Sequence, residues 1–277
     1  MATLLLPGWA AAGPAAPTAA AALAAINALP PTPNTAWGID PGTGQLMVTV
    51  SRAAPALGVA RLLVVAGGFG DAVRVDRSTL PLTEQDLPGP FSPNDTDGVL
   101  LGGDAISDGK IICSAGFNVL RHGRPYVLTA GHCTAGLPDW QDVGPSSVSA
   151  FPGSDYGLIE NEDAYARGDV DLYDGTAQPI TSVGTPAVGE KVCVSGQTTQ
   201  VTCGQVLAVD QTVDYGDGDV VHGLVKTNVH TDHGDSGGPL FDGSTGLGVV
   251  SGGDGSIDYF QPIAPAIDAY DLRLALP

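Results

Sequence analysis

Gly234-Asp235-Ser236-Gly237-Gly238-Pro239 decides how this 277-residue chain is read. The serine stands among glycines, so a tight turn can present its hydroxyl free of neighbouring side chains. The stretch contains G-x-S-x-G, the strand-to-helix turn that carries the nucleophile of α/β-hydrolases. Chain order rules that class out, because it needs a histidine after the serine and the last histidine here is His233. The other arrangement open to a serine nucleophile runs His, Asp, Ser along the chain. Thr129-Ala130-Gly131-His132-Cys133 ends an apolar run and presents a histidine beside a cysteine. Ser154-Asp155-Tyr156-Gly157-Leu158-Ile159 sets a carboxylate just before another apolar run. Each has a bland alternative on its own: a structural histidine, a turn aspartate, a glycine-serine loop. Together, in this order and with cysteines beside them, they make His132, Asp155 and Ser236 the candidate catalytic residues.

Outward from these motifs the pattern is uniform. Short apolar runs at 126–129, 156–159, 191–194, 205–209, 220–225 and 247–251 alternate with turn signals every ten or so residues, which predicts an all-β sandwich or barrel. One helix is expected at the end, with Ile263, Ile267 and Tyr270 on one face and Pro265 in its first turn. Four cysteines allow three pairings. Neither Cys113 with Cys133 nor Cys193 with Cys203 has the C-x-x-C spacing of a zinc site, and these local pairs are the expected disulfides. Disulfides point to an oxidising compartment; four buried thiols in a cytosolic protein are the alternative.

Toward the N-terminus no charged side chain precedes Asp40. Residues 1–35 read as an Ala/Pro-rich leader or signal remnant. The positive start of a secretory signal is missing, and Pro7, Pro14 and Pro17 argue against a membrane-spanning helix. Residues 36–80 read as a small folded segment: two strands around the turn at 41–44, a helix over 55–65 with Leu57, Arg61 and Leu62 a turn apart, then a strand at 72–75. So short a piece buries little surface alone and must pack on something else. Residues 81–101 read as a linker with a processing site, and Asn94 opens a formal glycosylation sequon.

Gly 39 and Pro 22 exclude a chain of long helices. Residues 1–101 hold four arginines against seven acids, and residues 102–277 hold seven bases against 23 acids, so nearly all of the net charge of −19 belongs to the second part. No basic footprint exists for a nucleic acid. Such a field favours cationic substrates, with salt weakening the preference.

The chain resembles the chymotrypsin-fold serine peptidases, and within them the bacterial streptogrisin and alpha-lytic protease branch. Beyond the three catalytic motifs, the likeness rests on Gly102-Gly103-Asp104-Ala105-Ile106, on Cys113-Ser114-Ala115-Gly116-Phe117-Asn118-Val119, on Cys193-Val194-Ser195-Gly196-Gln197-Thr198-Thr199 followed by Cys203-Gly204, and on Ser251-Gly252-Gly253 and Phe260-Gln261-Pro262. Trp37-Gly38-Ile39-Asp40-Pro41 and the segment after it are similar to the family pro-region. The resemblance implies two antiparallel six-stranded β-barrels with a C-terminal helix, over residues 102–277, preceded by a small α+β pro-segment. It implies a secreted, monomeric serine endopeptidase made as a zymogen, without cofactor, metal or membrane association, acting on proteins or peptides and bound by its own pro-segment. Ser236 would be the nucleophile, His132 the base and then the acid, and Asp155 the group orienting the imidazole. Gly234 and Ser236 would supply the oxyanion hole, and Ser251, Gly252 and Gly253 would pair with an extended substrate.

Four departures qualify that picture. Members of the branch pair the acid before the nucleophile with an arginine where Val194 stands, which leaves Asp235 to Lys191, a backbone donor or another group. A third disulfide of the family is absent, with His230 at its first position. His230, Asp232 and His233 then lie near the pocket mouth as a solvated loop rather than a metal site. Asp258 falls near the pocket base and would favour Lys or Arg before the scissile bond, whereas Leu100-Leu101 before Gly102 would need an apolar pocket for self-cleavage, so specificity stays open. Asp214, Asp217 and Asp219 lack EF-hand spacing and read as a hairpin tip rather than a calcium site. Two rival functions remain: a non-catalytic homologue acting as a binding module, and a competent enzyme kept latent by an uncleaved N-terminal segment.

Overall fold

The computed structural model describes residues 18–89, 99–162 and 165–277. The Asn94 sequon and the prolines up to Pro17 lie outside them. Strands dominate, as expected. In Leu46-Met47-Val48-Thr49-Val50 every second side chain turns inward, and Leu46, Val48 and Val50 are fully buried.

Residues 18–89 build a small lobe of helix α1 (Ala19–Asn27), strands β1 (Thr35–Ile39) and β2 (Leu46–Ser51), helix α2 (Ala56–Gly67) and strand β3 (Val73–Ser78). Strands β1 and β2 are antiparallel, and β3 runs parallel to β2. Both helices close over one face, with Ala22, Ile26, Val59 and Leu62 packed against Trp37, Leu46, Val48 and Val50. The expected leader boundary at residue 35 is therefore corrected: α1 belongs to the lobe. Its alanine-rich sequence has high helix propensity, the Thr18 hydroxyl caps it by accepting from the Ala21 N–H at 3.2 Å, and the Trp37 indole donates to Asn27 Oδ1 at 2.7 Å. The face of α2 also differs from expectation. Leu57 is exposed, and Val59, Leu62 and Ala66 point inward.

The lobe does not stand apart. Strand β1 pairs with the end of the long strand Gln200–Asp214, Thr35 opposite Asp214 and Trp37 opposite Thr212. The lobe sheet thereby continues into one that runs through Val220–Thr227, Asp258–Pro262, Thr245–Gly253 and Pro239–Asp242 to Lys191–Gly196. Val192, Val194, Val206, Val225, Leu240, Val250 and Phe260 fill this second barrel. The first barrel is built on Asp139–Trp140, Gly144–Ala150, Tyr156–Glu160, Arg124–Thr129, Phe117–Arg121 and Leu272–Leu274, around Val127, Trp140 and Ile159. Phe117, Leu128, Leu158, Phe241, Val249 and Ile263 join the two barrels, and the short helix α3 (Ala264–Ala269), with its proline in the first turn, packs there through Ala266.

Residues 81–89, expected to be linker, form strands β4 (Thr83–Glu84) and β5 (Leu87–Pro88); β4 pairs with the barrel strand Thr245–Gly253 and β5 with the strand Ile111–Ser114. Leu82, just ahead of β4, and Gln85, between the two strands, are buried. The expected processing point before Gly102 sits inside the strand Val99–Gly102, paired with Tyr165–Asp171, where Gly102 is buried.

Candidate active site

Two neighbouring strands set the first pair of side chains. Arg124–Thr129 and Tyr156–Glu160 are antiparallel, Thr129 opposite Gly157. His132 lies just past the end of one and Asp155 just before the start of the other. The turn holding His132 is closed by Thr134, whose N–H and hydroxyl both donate to Gly131 O at 3.1 and 3.0 Å. The Asp155 carboxylate is fully buried. It accepts from the His132 backbone N–H at 2.9 Å and from ring Nδ1, which lies 3.0 and 2.9 Å from its two oxygens. The Asp155 N–H donates to Gln261 Oε1 at 2.8 Å. With Nδ1–H on the carboxylate, Nε2 is the acceptor, and Ser236 Oγ donates to it at 2.7 Å. Burial pulls the His132 pKa down, but the charge and hydrogen bond of Asp155, with Glu84 and Asp86, outweigh it and the net direction is up.

Ser236 comes from the second barrel, in the turn before Pro239–Asp242. Gly234 and Gly237 hold φ of +102° and +84°. A Cβ at Gly237 would run into the Thr129 hydroxyl, so the turn needs glycine there. Asp235, whose partner the sequence left open, is satisfied without a cation. Its Oδ1 accepts from the N–H groups of Thr198 and Thr199 at 2.8 and 3.1 Å, and its Oδ2 accepts from the Thr199 hydroxyl at 2.7 Å and the Asp232 N–H at 2.9 Å. A threonine hydroxyl and three backbone donors thus replace the arginine, and Lys191 is not among the partners.

The cleft is filled by the chain itself. β4 lies antiparallel to the strand Thr245–Gly253, Glu84 opposite Gly252 and Thr83 opposite Gly253. The carbonyl oxygen of Gln85 then accepts from the Ser236 N–H at 3.4 Å and from the Gly234 N–H. Beyond Gln85, β5 pairs with Ile111–Ser114, Leu87 opposite Ile112, and His233 Nδ1 donates to Asp86 O at 3.0 Å. Ser251 is buried with its hydroxyl 2.9 Å from Tyr215 Oη. Asp258 is buried beside the Gln85 side chain, 3.3 Å from its Nε2. Its Oδ2 accepts from the Thr231 N–H at 2.8 Å and its Oδ1 from the Gly255 N–H at 3.0 Å. Burial, partly offset by these bonds, pushes its pKa up to about 6. Burial likewise pushes Glu84 up to about 7, against the pull of His132.

Both expected disulfides are present, Cys113 to Cys133 and Cys193 to Cys203. Among the described residues the one grouping close enough to hold a metal is Cys113, His132 and Cys133. Its sulfurs are joined to each other and its imidazole is engaged, so it offers no ligand set. His230 instead bonds to Gly255 O at 2.6 Å. Sequence reasoning assigned no role to Gln85, Thr231, Thr199 or Gln261, although Thr199 and Gln261 lie in stretches that carry the family likeness.

A serine hydroxyl bonded to an imidazole that is oriented by a buried carboxylate, with two backbone N–H groups on one acyl oxygen, is equipment for acyl transfer through a serine nucleophile. A family model described as Trypsin matches residues 102–268, and one described as Alpha-lytic protease prodomain matches residues 17–70. The chain belongs to the trypsin family of serine proteases and carries an alpha-lytic-type prodomain ahead of that domain. Streptogrisin-D of Streptomyces griseus is 40% identical over 254 residues, 87% of this chain, which spans 61% of that relative's length. Thermobifida fusca Protease A superposes with a TM-score of 0.62 at 35% identity, covering 65% of this chain and all of that one. A glutamic acid specific serine protease that uses a histidine triad in substrate binding gives 0.60 at 41% identity, over 63% of this chain and all of the other. No described helix is long and apolar enough to cross a membrane.

Proposed function

We propose that the chain is a serine endopeptidase made as a zymogen, with residues 18–89 as its pro-segment and the domain from Gly102 onward as the catalytic part. The observation that carries this reading is the seating of one carbonyl, that of Gln85, on the Gly234 and Ser236 N–H groups, beside a hydroxyl already bonded to His132. In a peptide held this way Ser236 Oγ attacks the carbonyl carbon while Nε2 takes its proton. Asp155 stabilises the imidazolium and keeps the tautomer. The developing oxyanion takes the two N–H bonds, one of which is worth about 3–4 kcal/mol. Nε2 then protonates the leaving amine, and a water deprotonated by the same nitrogen releases the acyl group. Ser251, Gly252 and Gly253 bind the acyl-side strand by adding it to their own sheet.

The substrates are proteins or peptides, and the pro-segment is itself a ligand of the cleft. Two disulfides support export to an oxidising compartment. The acidic surface argues against nucleic acid as partner, and the family resemblance supports a monomer. Glutamate specificity is not carried over from the structural neighbour, because the Asp258 carboxylate at the pocket base opposes a second negative charge. A fluorophosphonate reagent tests the reading: the wild-type chain is labelled once it has processed itself and Ser236→Ala is not. Equal labelling of both would refute it.

A further inference from the structure

The pocket beside Ser236 holds one side chain, and every polar atom of that side chain is used. Gln85 Oε1 accepts from the Thr231 hydroxyl at 2.5 Å. Gln85 Nε2 donates to Thr231 O at 3.2 Å and to Asp258 Oδ1 at 3.3 Å. Gln85 is 3% exposed, while Thr231 and Asp258 are fully enclosed. A carboxamide is the group that supplies one acceptor and two donors at one position. Replacing it shows what the pocket reads. Glutamate would set an anion against Asp258. Methionine, of similar length, would leave the Thr231 hydroxyl and carbonyl without the partners Gln85 gives them and take one donor from Asp258, which keeps the Thr231 and Gly255 N–H groups, in a buried site. Lysine carries donors only and is one atom longer than an amide that already touches the pocket floor.

The main chain around Gln85 is equally complete. Strand β4 lies on one side of Ser236 and β5 on the other, paired with Thr245–Gly253 and Ile111–Ser114 respectively. The peptide bond between Gln85 and Asp86 therefore crosses the nucleophile in the register of a substrate bound on both sides. Leu82 is buried three residues ahead of Gln85, against Tyr215, Val221 and Tyr259.

We propose that this site selects glutamine as the residue whose carbonyl is attacked, with Thr231 and Asp258 as its specificity residues, and that the chain's own bond between Gln85 and Asp86 is its first substrate. The inference rests on the endopeptidase reading and names its substrate class. In the self-cleavage, Ser236 Oγ bonds to the Gln85 carbonyl carbon and its proton passes to His132. The carbon–nitrogen bond to Asp86 breaks, and the Asp86 amine leaves with that proton. Water then hydrolyses the ester, giving a Gln85 carboxylate and restoring the Ser236 hydroxyl. The first new N-terminus is Asp86, sixteen residues ahead of Gly102.

The test uses the full wild-type chain after self-processing, with quenched fluorescent peptides spanning residues 80–90 and carrying Gln, Glu, Lys or Met at position 85. The expected kcat/KM for Gln exceeds each of the others by about tenfold or more, since a site built to bond a polar group rejects analogues lacking it. In Thr231→Val the Gln-to-Met ratio collapses toward one, and Thr231→Ser restores it. Being a ratio, it is independent of how much variant folds. Mass spectrometry of the freshly folded chain should find Asp86 as the earliest new N-terminus, and Ser236→Ala should lack it. Cleavage of the Lys or Met peptide as fast as Gln, or a first cut elsewhere, overturns the inference. If Ser236 still takes a fluorophosphonate, the endopeptidase reading survives that result. Absence of both labelling and hydrolysis of every peptide overturns the two together.

Discussion

Replacing Thr199 with valine probes how the oxyanion loop is held. The two side chains have nearly the same shape, so the change removes one hydroxyl and opens no cavity. The hydroxyl donates at 2.7 Å to an oxygen of the fully buried Asp235. A hydrogen bond to a charged group contributes about 1.5–3 kcal/mol. The carboxylate keeps its three backbone donors, so the loss stays within that range and short of the penalty for an orphaned buried charge. At about 2–4 °C per kcal/mol for a chain of this size, the melting temperature should fall by about 3–12 °C. Calorimetry on a Ser236→Ala background, which prevents self-cleavage, reads the shift directly. In the catalytic chain the same change should lower kcat by about tenfold with little effect on KM. Asp235 anchors the turn that aims the Gly234 and Ser236 N–H groups, and those donors act on charge that appears only in the transition state. Thr199→Ser should recover both quantities. A melting temperature within about 1 °C of the parent and an unchanged kcat would refute the assignment of Thr199 as the replacement for a cation.

Because His132 must be neutral to accept the Ser236 proton, and its pKa lies above the ordinary 6.5, the rate of self-cleavage should rise with pH through a midpoint above that value. Glu84→Gln removes one of the charges that raise it, so the midpoint of the rate profile should move down. A built Cβ on Gly252 runs into Thr83 O, so Gly252→Ala should raise KM for extended peptides by about tenfold or more and leave fluorophosphonate labelling of Ser236 intact. Removing the disulfide between Cys193 and Cys203, which closes a loop of ten residues, should cost roughly 2–4 kcal/mol, seen as a lower urea midpoint in the Ser236→Ala chain carrying alanine at both cysteines.

The triad was legible because its chemistry is local. Each member sits in a short motif, and chain order excludes the α/β-hydrolase class that a Gly-flanked serine also allows. Barrel strands, turns and disulfide partners were legible for the same reason, since period-two patterning and turn residues act over a few positions. What escaped depends on distant pairing. Gln85 meets Thr231 across 146 positions, and nothing near Gln85 marks it as a pocket filler. α1 was hidden because alanines flanked by prolines look like a leader until Ala22 and Ile26 find the face of β2. Thr199 was overlooked because a search for a partner to Asp235 begins with cations, whereas a hydroxyl and three amides serve the carboxylate equally well.

The pairing of β1 with Thr212, Val213 and Asp214 has an outcome once the pro-segment departs. Two sheet edges that were joined become free at once, one on each product. Unpaired edges invite edge-to-edge association between molecules. The edge left on the catalytic part, Thr212 to Asp214, is preceded by Asp210 and runs into a tip carrying Asp217 and Asp219, so two such edges repel. The edge left on the lobe, Thr35 to Trp37, is uncharged and carries no such guard. Of the two separated edges, the one on the lobe is therefore the more open to edge-to-edge association.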